Sequence, residues 1–227
     1  MKNLAIIPAR GGSKRIPRKN IKSFMGKPII AYSIEAALRS GLFDEVMVST
    51  DDVEIAEIAC KYGAKVPFMR SIETADDHAT MENVIEEVLL KYTVSFDNFC
   101  CLLPTAPFLS ASSLQDSFKI FISSNRESLV PVLRYSYPIQ RALHVVDGNL
   151  VMREQQYIHT RSQDLKPMYH DAGLFYWMKV VSFLKEKEIF SSSTAMYELS
   201  ELEVQDIDTE KDWKLAELKY KMLHAKG

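Results

Sequence analysis

Two periods of apolar residues take turns along the chain, and that alternation predicts an α/β fold. Residues 4–7 form a short continuous apolar run, the pattern of a strand buried on both faces, and a polar segment containing glycine follows directly. Pro28 stands at the favoured first position of a helix over residues 29–39, where Ile30, Ile34 and Leu38 recur at helical spacing and Gly41 is placed to end it. Residues 46–50 read as a second strand, and a helix over 53–62 turns Ile55, Ile58 and Ala59 inward before Gly63. Helices over 81–92 and 114–122, with strands over 99–103 and 128–133, continue the rhythm. Such alternation implies a mostly parallel sheet flanked by helices.

The rhythm breaks at Arg134. Residues 142–146 and 149–153 flank Asp147-Gly148, a hairpin signal of the type I′ kind. A strand pattern resumes at 173–178, then a short helix over 180–187 and a last helix over 210–224, introduced by Thr209 and Asp212 at capping-box spacing. The expected organisation is one domain over residues 1–227 with an excursion over residues 135–171, a length that implies a lid or an interface.

Composition narrows the classes. Of 227 residues, 47% are apolar and 26% charged, which is ordinary for a globular chain and enough for one large core. Lys and Arg number 28 against 30 Asp and Glu, a formal net charge of -2, which argues against nucleic acid or an anionic membrane as a partner. The longest uncharged stretch, residues 98–115, carries Pro104 and Pro107 and predicts no spanning helix. The apolar run near the N-terminus is too short for a secretory core, and Cys60, Cys100 and Cys101 fit neither a disulfide framework nor C-x-x-C. The expectation is a cytoplasmic protein with reduced, buried thiols. Five histidines lack zinc-ligand spacing, and no G-x-S-x-G marks a nucleophile.

The most informative segment runs from Arg10 to Asn20, with five cations in eleven residues and the pair Gly11-Gly12, directly after a buried strand. In open α/β sheets ligands bind beyond the carboxyl ends of strands, and paired glycines let backbone N–H groups approach phosphate oxygens. A solvated basic loop is the plainer reading of the same residues. The segment fits neither GxxxxGK[ST] nor G-x-G-x-x-G, which disfavours a P-loop kinase and an NAD-dependent oxidoreductase. Asp206 and Asp208 lie two apart, so an extended chain puts both carboxylates on one face, suited to Mg²⁺ beside a polyphosphate. Acids before a helix start also favour its dipole. Asp51 and Asp52 can touch a ribose or metal, or cap the next helix.

With Ile7-Pro8-Ala9-Arg10-Gly11-Gly12-Ser13-Lys14-Arg15-Ile16-Pro17-Arg18-Lys19-Asn20 in view, the chain resembles the acylneuraminate cytidylyltransferase family, which activates acidic nine-carbon sugars. The match runs almost end to end. Tyr137-Pro138-Ile139-Gln140-Arg141-Ala142-Leu143, Thr160-Arg161-Ser162-Gln163-Asp164-Leu165 and Tyr169-His170-Asp171-Ala172-Gly173 place the resemblance in the branch acting on pseudaminic acid. Leu103 and Asp171 depart from the sialic acid branch, where Gln and Asn are expected, and both departures suit the pseudaminic branch.

The resemblance implies a Rossmann-like fold of the nucleotide-diphospho-sugar transferase type, a hairpin that reaches a second subunit, and a homodimer. It implies a CTP site at Ala9, Arg10, Gly11, Gly12, Ser13, Lys19, Asn20, Arg70 and Thr80, and Mg²⁺ on Asp206 and Asp208. The acidic nonulosonic sugar is expected at Gln140, Arg141, Arg161 and Asp171, with catalysis resting on Arg10, Lys19 and Asp208. N-acetylneuraminic or legionaminic acid as substrate, or a silent nucleotide sensor on the same fold, are the alternatives.

Overall fold

A computed structural model describes residues 1–76 and 78–225. The chain lays down β1 (Asn3–Pro8), a two-residue hairpin of β2 (Ser23–Phe24) and β3 (Lys27–Pro28), then α1 (Ile30–Ser40), β4 (Glu45–Ser49) and α2 (Val53–Lys61). The short α3 (Ile72–Ala75) precedes α4 (Met81–Lys91), β5 (Asn98–Leu102), α5 (Ala111–Ser124) and β6 (Ser128–Arg134). An exposed hairpin of β7 (Leu143–Val146) and β8 (Asn149–Met152) follows. The chain closes with β9 (Tyr169–Asp171), β10 (Phe175–Lys179), α6 (Val180–Glu186), β11 (Thr194–Glu198) and α7 (Glu210–His224).

The main sheet runs β11-β6-β10-β5-β1-β4, with β9 on β6. The strands β4, β1, β5, β6 and β11 share one direction, while β10 and β9 run against them. The sheet is therefore mixed and mostly parallel. Alternating residues of each strand serve opposite faces. Ala5, Ile7, Val46, Val48 and Cys100 pack with Ile34, Ile55 and Phe121, whereas Leu4, Ile6, Met47 and Cys101 pack with Ile85, Val88 and Phe183. Two helical layers thus bury both sides of β1.

A third cluster joins Phe24, Tyr32, Trp213 and Ile207, which fastens α7 over the small hairpin beside the loop after β1. Thr209 and Asp212 form the expected capping box, and Asp147 and Gly148 both have positive φ, as a type I′ turn requires. Pro28 belongs to β3 rather than opening α1, whose N-cap is Ile29. Cys60 is exposed, so only Cys100 and Cys101 fit the expectation of buried thiols. No helix among the described residues is long and apolar enough to cross a membrane.

Candidate active site

From β1 the chain crosses to β4 on one side and returns to β5 on the other, so the carboxyl ends of β1 and β5 mark a topological switch. A cavity of about 480 Å³ opens there. Pro8 at the end of β1 and Leu103, Pro104 and Thr105 after β5 line it, together with residues of the Arg10 to Asn20 loop and with Arg70, Thr74, Asp76, Ala79 and Thr80. Its described lining carries five cations, Arg10, Lys14, Arg15, Lys19 and Arg70, against one carboxylate, Asp76. That balance suits a polyanion.

The loop is tied down at several points. Asn20 Nδ2 donates to Arg10 O at 2.9 Å, Lys19 Nζ to Ile207 O at 2.7 Å, and Arg10 Nη1 to Asp76 O at 2.9 Å. The Gly11 N–H donates to Asp51 Oδ1 at 3.0 Å, while Arg18, at a left-handed φ of 54°, pairs with Asp52 and Glu54. A Cβ on Gly11 would meet Asp52 Oδ2 at 2.7 Å, so that close approach requires glycine. Asp52 also accepts from Ile55 N at 3.0 Å and caps α2. Its pairing with Arg18 holds the Asp52 carboxyl below the usual carboxylate range. Asp52 thus caps the next helix, one of the two readings of the pair, and Asp51 anchors the loop, a contact the sequence did not predict.

Arg70 is buried, with Nε on Ser49 Oγ at 3.1 Å and Nη2 on Ser49 O at 2.6 Å. Burial lowers its pKa from the ordinary arginine value, and the nearby charges of Asp51 and Glu87 oppose that shift. Arginine stays charged regardless. Thr80 caps α4 in a capping box with Asn83, so the positive end of that helix dipole also faces the cavity.

Six of the residues expected around CTP, Arg10, Ser13, Lys19, Asn20, Arg70 and Thr80, therefore line one cavity. Ala9 lies buried behind it, with its N–H on Ser49 O at 2.9 Å. Gly11 and Gly12 sit in the same loop, and among the described residues nothing beyond its chain neighbours lies within 4 Å of the position a Gly12 Cβ would take. Asp208 meets Arg15 Nη1 at 2.6 Å and Lys19 Nζ at 3.7 Å, two cations of the lining, and neither Asp206 nor Asp208 is itself among the described lining residues. Asp206 is exposed, and between the two acids Ile207 is buried. Two carboxylates flanking a buried residue on extended chain supply the hard oxygen donors of a divalent cation that shares substrate phosphates, so this pair fits one.

The excursion residues lie elsewhere in the single chain. Gln140 is buried with Nε2 on Lys166 O at 2.8 Å, and its Oε1 has no partner among the described residues. Arg141 Nη1 reaches Ser162 Oγ at 3.4 Å, and Arg161 Nε pairs with Asp164 Oδ2 at 2.8 Å with its side chain 72% exposed. None of the three lines the cavity of its own chain. Asp171 accepts from Gly173 N at 2.8 Å and from Tyr176 OH at 2.6 Å, close to the Leu103 wall, since Leu103 N donates to Leu174 O. Lys14 and Arg15 belong to the basic segment without an assigned role, and sequence reasoning missed Thr74 and Asp76 in the lining. Asp76 had a local signal, an Asx turn that accepts from His78 N and Ala79 N just before the Thr80 cap.

Residues 4–222 match the family described as cytidylyltransferase. The chain is 46% identical over 228 residues to a pseudaminic acid cytidylyltransferase of Campylobacter jejuni, covering 99% of this chain and 98% of that one. It is 36% identical to the CMP-N,N'-diacetyllegionaminic acid synthase of Legionella pneumophila, over 96% and 95% of the two chains. A solved CMP:2-keto-3-deoxy-manno-octonic acid synthetase, complexed with CTP, shares the fold at a TM-score of 0.71 and 19% identity, with both chains fully covered.

Proposed function

This chain belongs to the cytidylyltransferase family, and from that premise we propose that it joins CTP to pseudaminic acid, giving the CMP-sugar and pyrophosphate. The anomeric C2 hydroxyl of the sugar acid attacks the α-phosphorus of CTP. A C2–O–P bond forms, the bond from the α-phosphorus to the oxygen bridging to the β-phosphorus breaks, pyrophosphate leaves with that oxygen, and the hydroxyl proton passes to water. Such a reaction asks for alignment and charge stabilisation rather than a protein nucleophile.

The observation that carries this reading is the convergence of Arg10, Lys14, Arg15, Lys19 and Arg70 on one cavity at the β1/β5 switch. Arg10 and Lys19 bind the β and γ phosphates and hold the leaving group as its charge grows. Arg70, Thr80 and the α4 N-terminus form the cytidine side. Cytidylyltransferases use a divalent metal, and here Mg²⁺ would be held by Asp206 and Asp208. When bound, it polarises the α-phosphate and neutralises the leaving pyrophosphate. Asp171, held by Tyr176 and Gly173, can only accept hydrogen bonds and so faces hydroxyl or amide N–H groups of the sugar.

The working unit is a homodimer. An isolated two-stranded hairpin is marginal in water, yet β7 and β8 expose Leu143, Val145, Val146 and Leu150. A second copy of the chain covers them and brings Gln140, Arg141 and Arg161 to its cavity. The test is CTP-dependent pyrophosphate release with pseudaminic, N,N'-diacetyllegionaminic and N-acetylneuraminic acids offered in turn. A clear preference for the first supports the proposal, and equal kcat/KM for all three contradicts it.

A further inference from the structure

One wall of the cavity is built by Arg70, Thr74, Asp76, Ala79 and Thr80, and among the described residues between Arg70 and Thr80 the four of α3 form a helix. So short a segment has little order of its own. Its two ends are fixed, Arg70 by Ser49 and Thr80 by the capping box of α4. The middle rests on a side chain that lies outside the cavity lining, Glu87 on α4.

Glu87 accepts from Ser71 N at 2.8 Å and Ser71 Oγ at 3.1 Å, and its Oε2 also accepts from Thr74 Oγ1. Lys91, one turn along α4, pairs with the same carboxylate. Only 12% of the Glu87 side chain is exposed. A nearly buried carboxylate needs such partners, and two of them belong to the cavity wall. Thr74 touches the cavity directly, and Ser71 follows Arg70 in sequence.

The geometry points to Glu87 as a positioning residue for nucleotide binding: it pins Ser71 and Thr74, and through them sets the Arg70 and Asp76 side of the cavity. This rests on the reading of that cavity as the CTP site. Loss of Glu87 lets the wall sample open positions, so CTP must re-order it on binding, at a cost in affinity. The acceptor sugar, which meets Asp171 and residues of the excursion, does not depend on this wall.

The test is calorimetric titration of CTP in the absence of sugar, with steady-state kinetics, for the wild type, Glu87→Gln, Thr74→Val and Glu86→Gln. Glu86 serves as the control, since it pairs on the same helix with Lys187 at 2.6 Å. Glu87→Gln is expected to raise the Kd and KM for CTP by about 5- to 30-fold, with the acceptor KM and kcat close to wild type. Thr74→Val should move CTP affinity in the same direction by a smaller step, and Glu86→Gln should not move it. Amide exchange over residues 71–76 should quicken in Glu87→Gln and slow again with saturating CTP. Unchanged CTP affinity in Glu87→Gln, or equal losses for CTP, acceptor and kcat, overturns the proposal. If Glu87→Gln fails to fold, unchanged CTP affinity in Thr74→Val overturns it. A wild type that does not bind CTP overturns the CTP reading itself.

Discussion

At the scale of single residues, Gly11 and Gly12 are neighbours with different work. A methyl at Gly11 collides with Asp52, which is locked by Arg18 and the α2 cap, whereas a methyl at Gly12 meets open space. Gly11→Ala is therefore expected to lower Tm by several degrees and Gly12→Ala to leave the Tm of the nucleotide-free protein unchanged. Calorimetric melting checks both, and equal Tm values would count against the packing argument. Asp208→Asn keeps the side-chain volume but removes the charge proposed to hold Mg²⁺, so kcat should fall and the Mg²⁺ needed for half activity should rise while Tm holds. An unchanged metal titration at full turnover would reduce Asp206 and Asp208 to acids before a helix. Glu87 supplies a pH prediction. Burial alone would raise its pKa, but Lys91, Thr74 and Ser71 prevail and bring it from 4.5 to about 2, with the charges of Arg70 and Glu73 also near. A carboxylate with a lowered folded-state pKa stabilises fully above its unfolded value and loses that contribution as pH falls through the folded one. The Tm gap between wild type and Glu87→Gln should thus be constant above about pH 5 and close progressively towards pH 2. A gap independent of pH would contradict it.

Among the elements, those with strong local signals were legible in the sequence. The helix α7 carries its capping box and a stripe that buries Trp213 and Ala216, and β1 is an unbroken apolar run covered on both faces. Elements whose existence depends on distant partners were not. The strand β11 reads Thr-Ala-Met-Tyr-Glu with partial burial and owes its conformation to parallel pairing with β6, more than sixty residues earlier. The three residues of β9 likewise exist as a strand because β6 is there to pair with them. The site divides in the same way. Glycines and cations made the phosphate loop visible, while Glu87 gave no local sign, because its partners Ser71 and Thr74 reach it only once α3 folds against α4. The hairpin β7–β8 was legible from Asp147-Gly148, and its exposed apolar face supports the dimer. Leu150→Glu is expected to yield monomers by light scattering with far-UV dichroism unchanged, and a dimer of undiminished strength would rule that face out as the interface.

The whole molecule combines a sheet covered by helices on both faces, at whose β1 and β5 ends the basic cavity opens, with an excursion whose Arg141 and Arg161 stand away from that cavity in their own chain. Among the described residues the Arg161 guanidinium pairs with Asp164 alone, an exposed ion pair worth about 0–1 kcal/mol, so a substrate carboxylate can take it over. A charge-assisted hydrogen bond contributes about 1.5–3 kcal/mol, so Arg161→Ala should cost roughly 10- to 150-fold in kcat/KM for the sugar and leave CTP affinity intact. If Arg161 serves the partner's cavity, mixing and re-equilibrating Arg161→Ala with Arg10→Ala should restore about a quarter of wild-type activity, because half of the dimers then hold one complete site. No recovery would put both arginines at the same chain's site. The claim on which all of this depends is that the cavity turns CTP and an acidic nine-carbon sugar into a CMP-sugar. Its most direct measurement is pyrophosphate release from CTP with pseudaminic acid and Mg²⁺, run beside ATP, GTP and UTP. Turnover with CTP well above the other three, in step with CMP-pseudaminic acid formation, is the result predicted. Binding of CTP without turnover, with any of the acidic sugars, would contradict it and return the chain to a silent nucleotide-binding module.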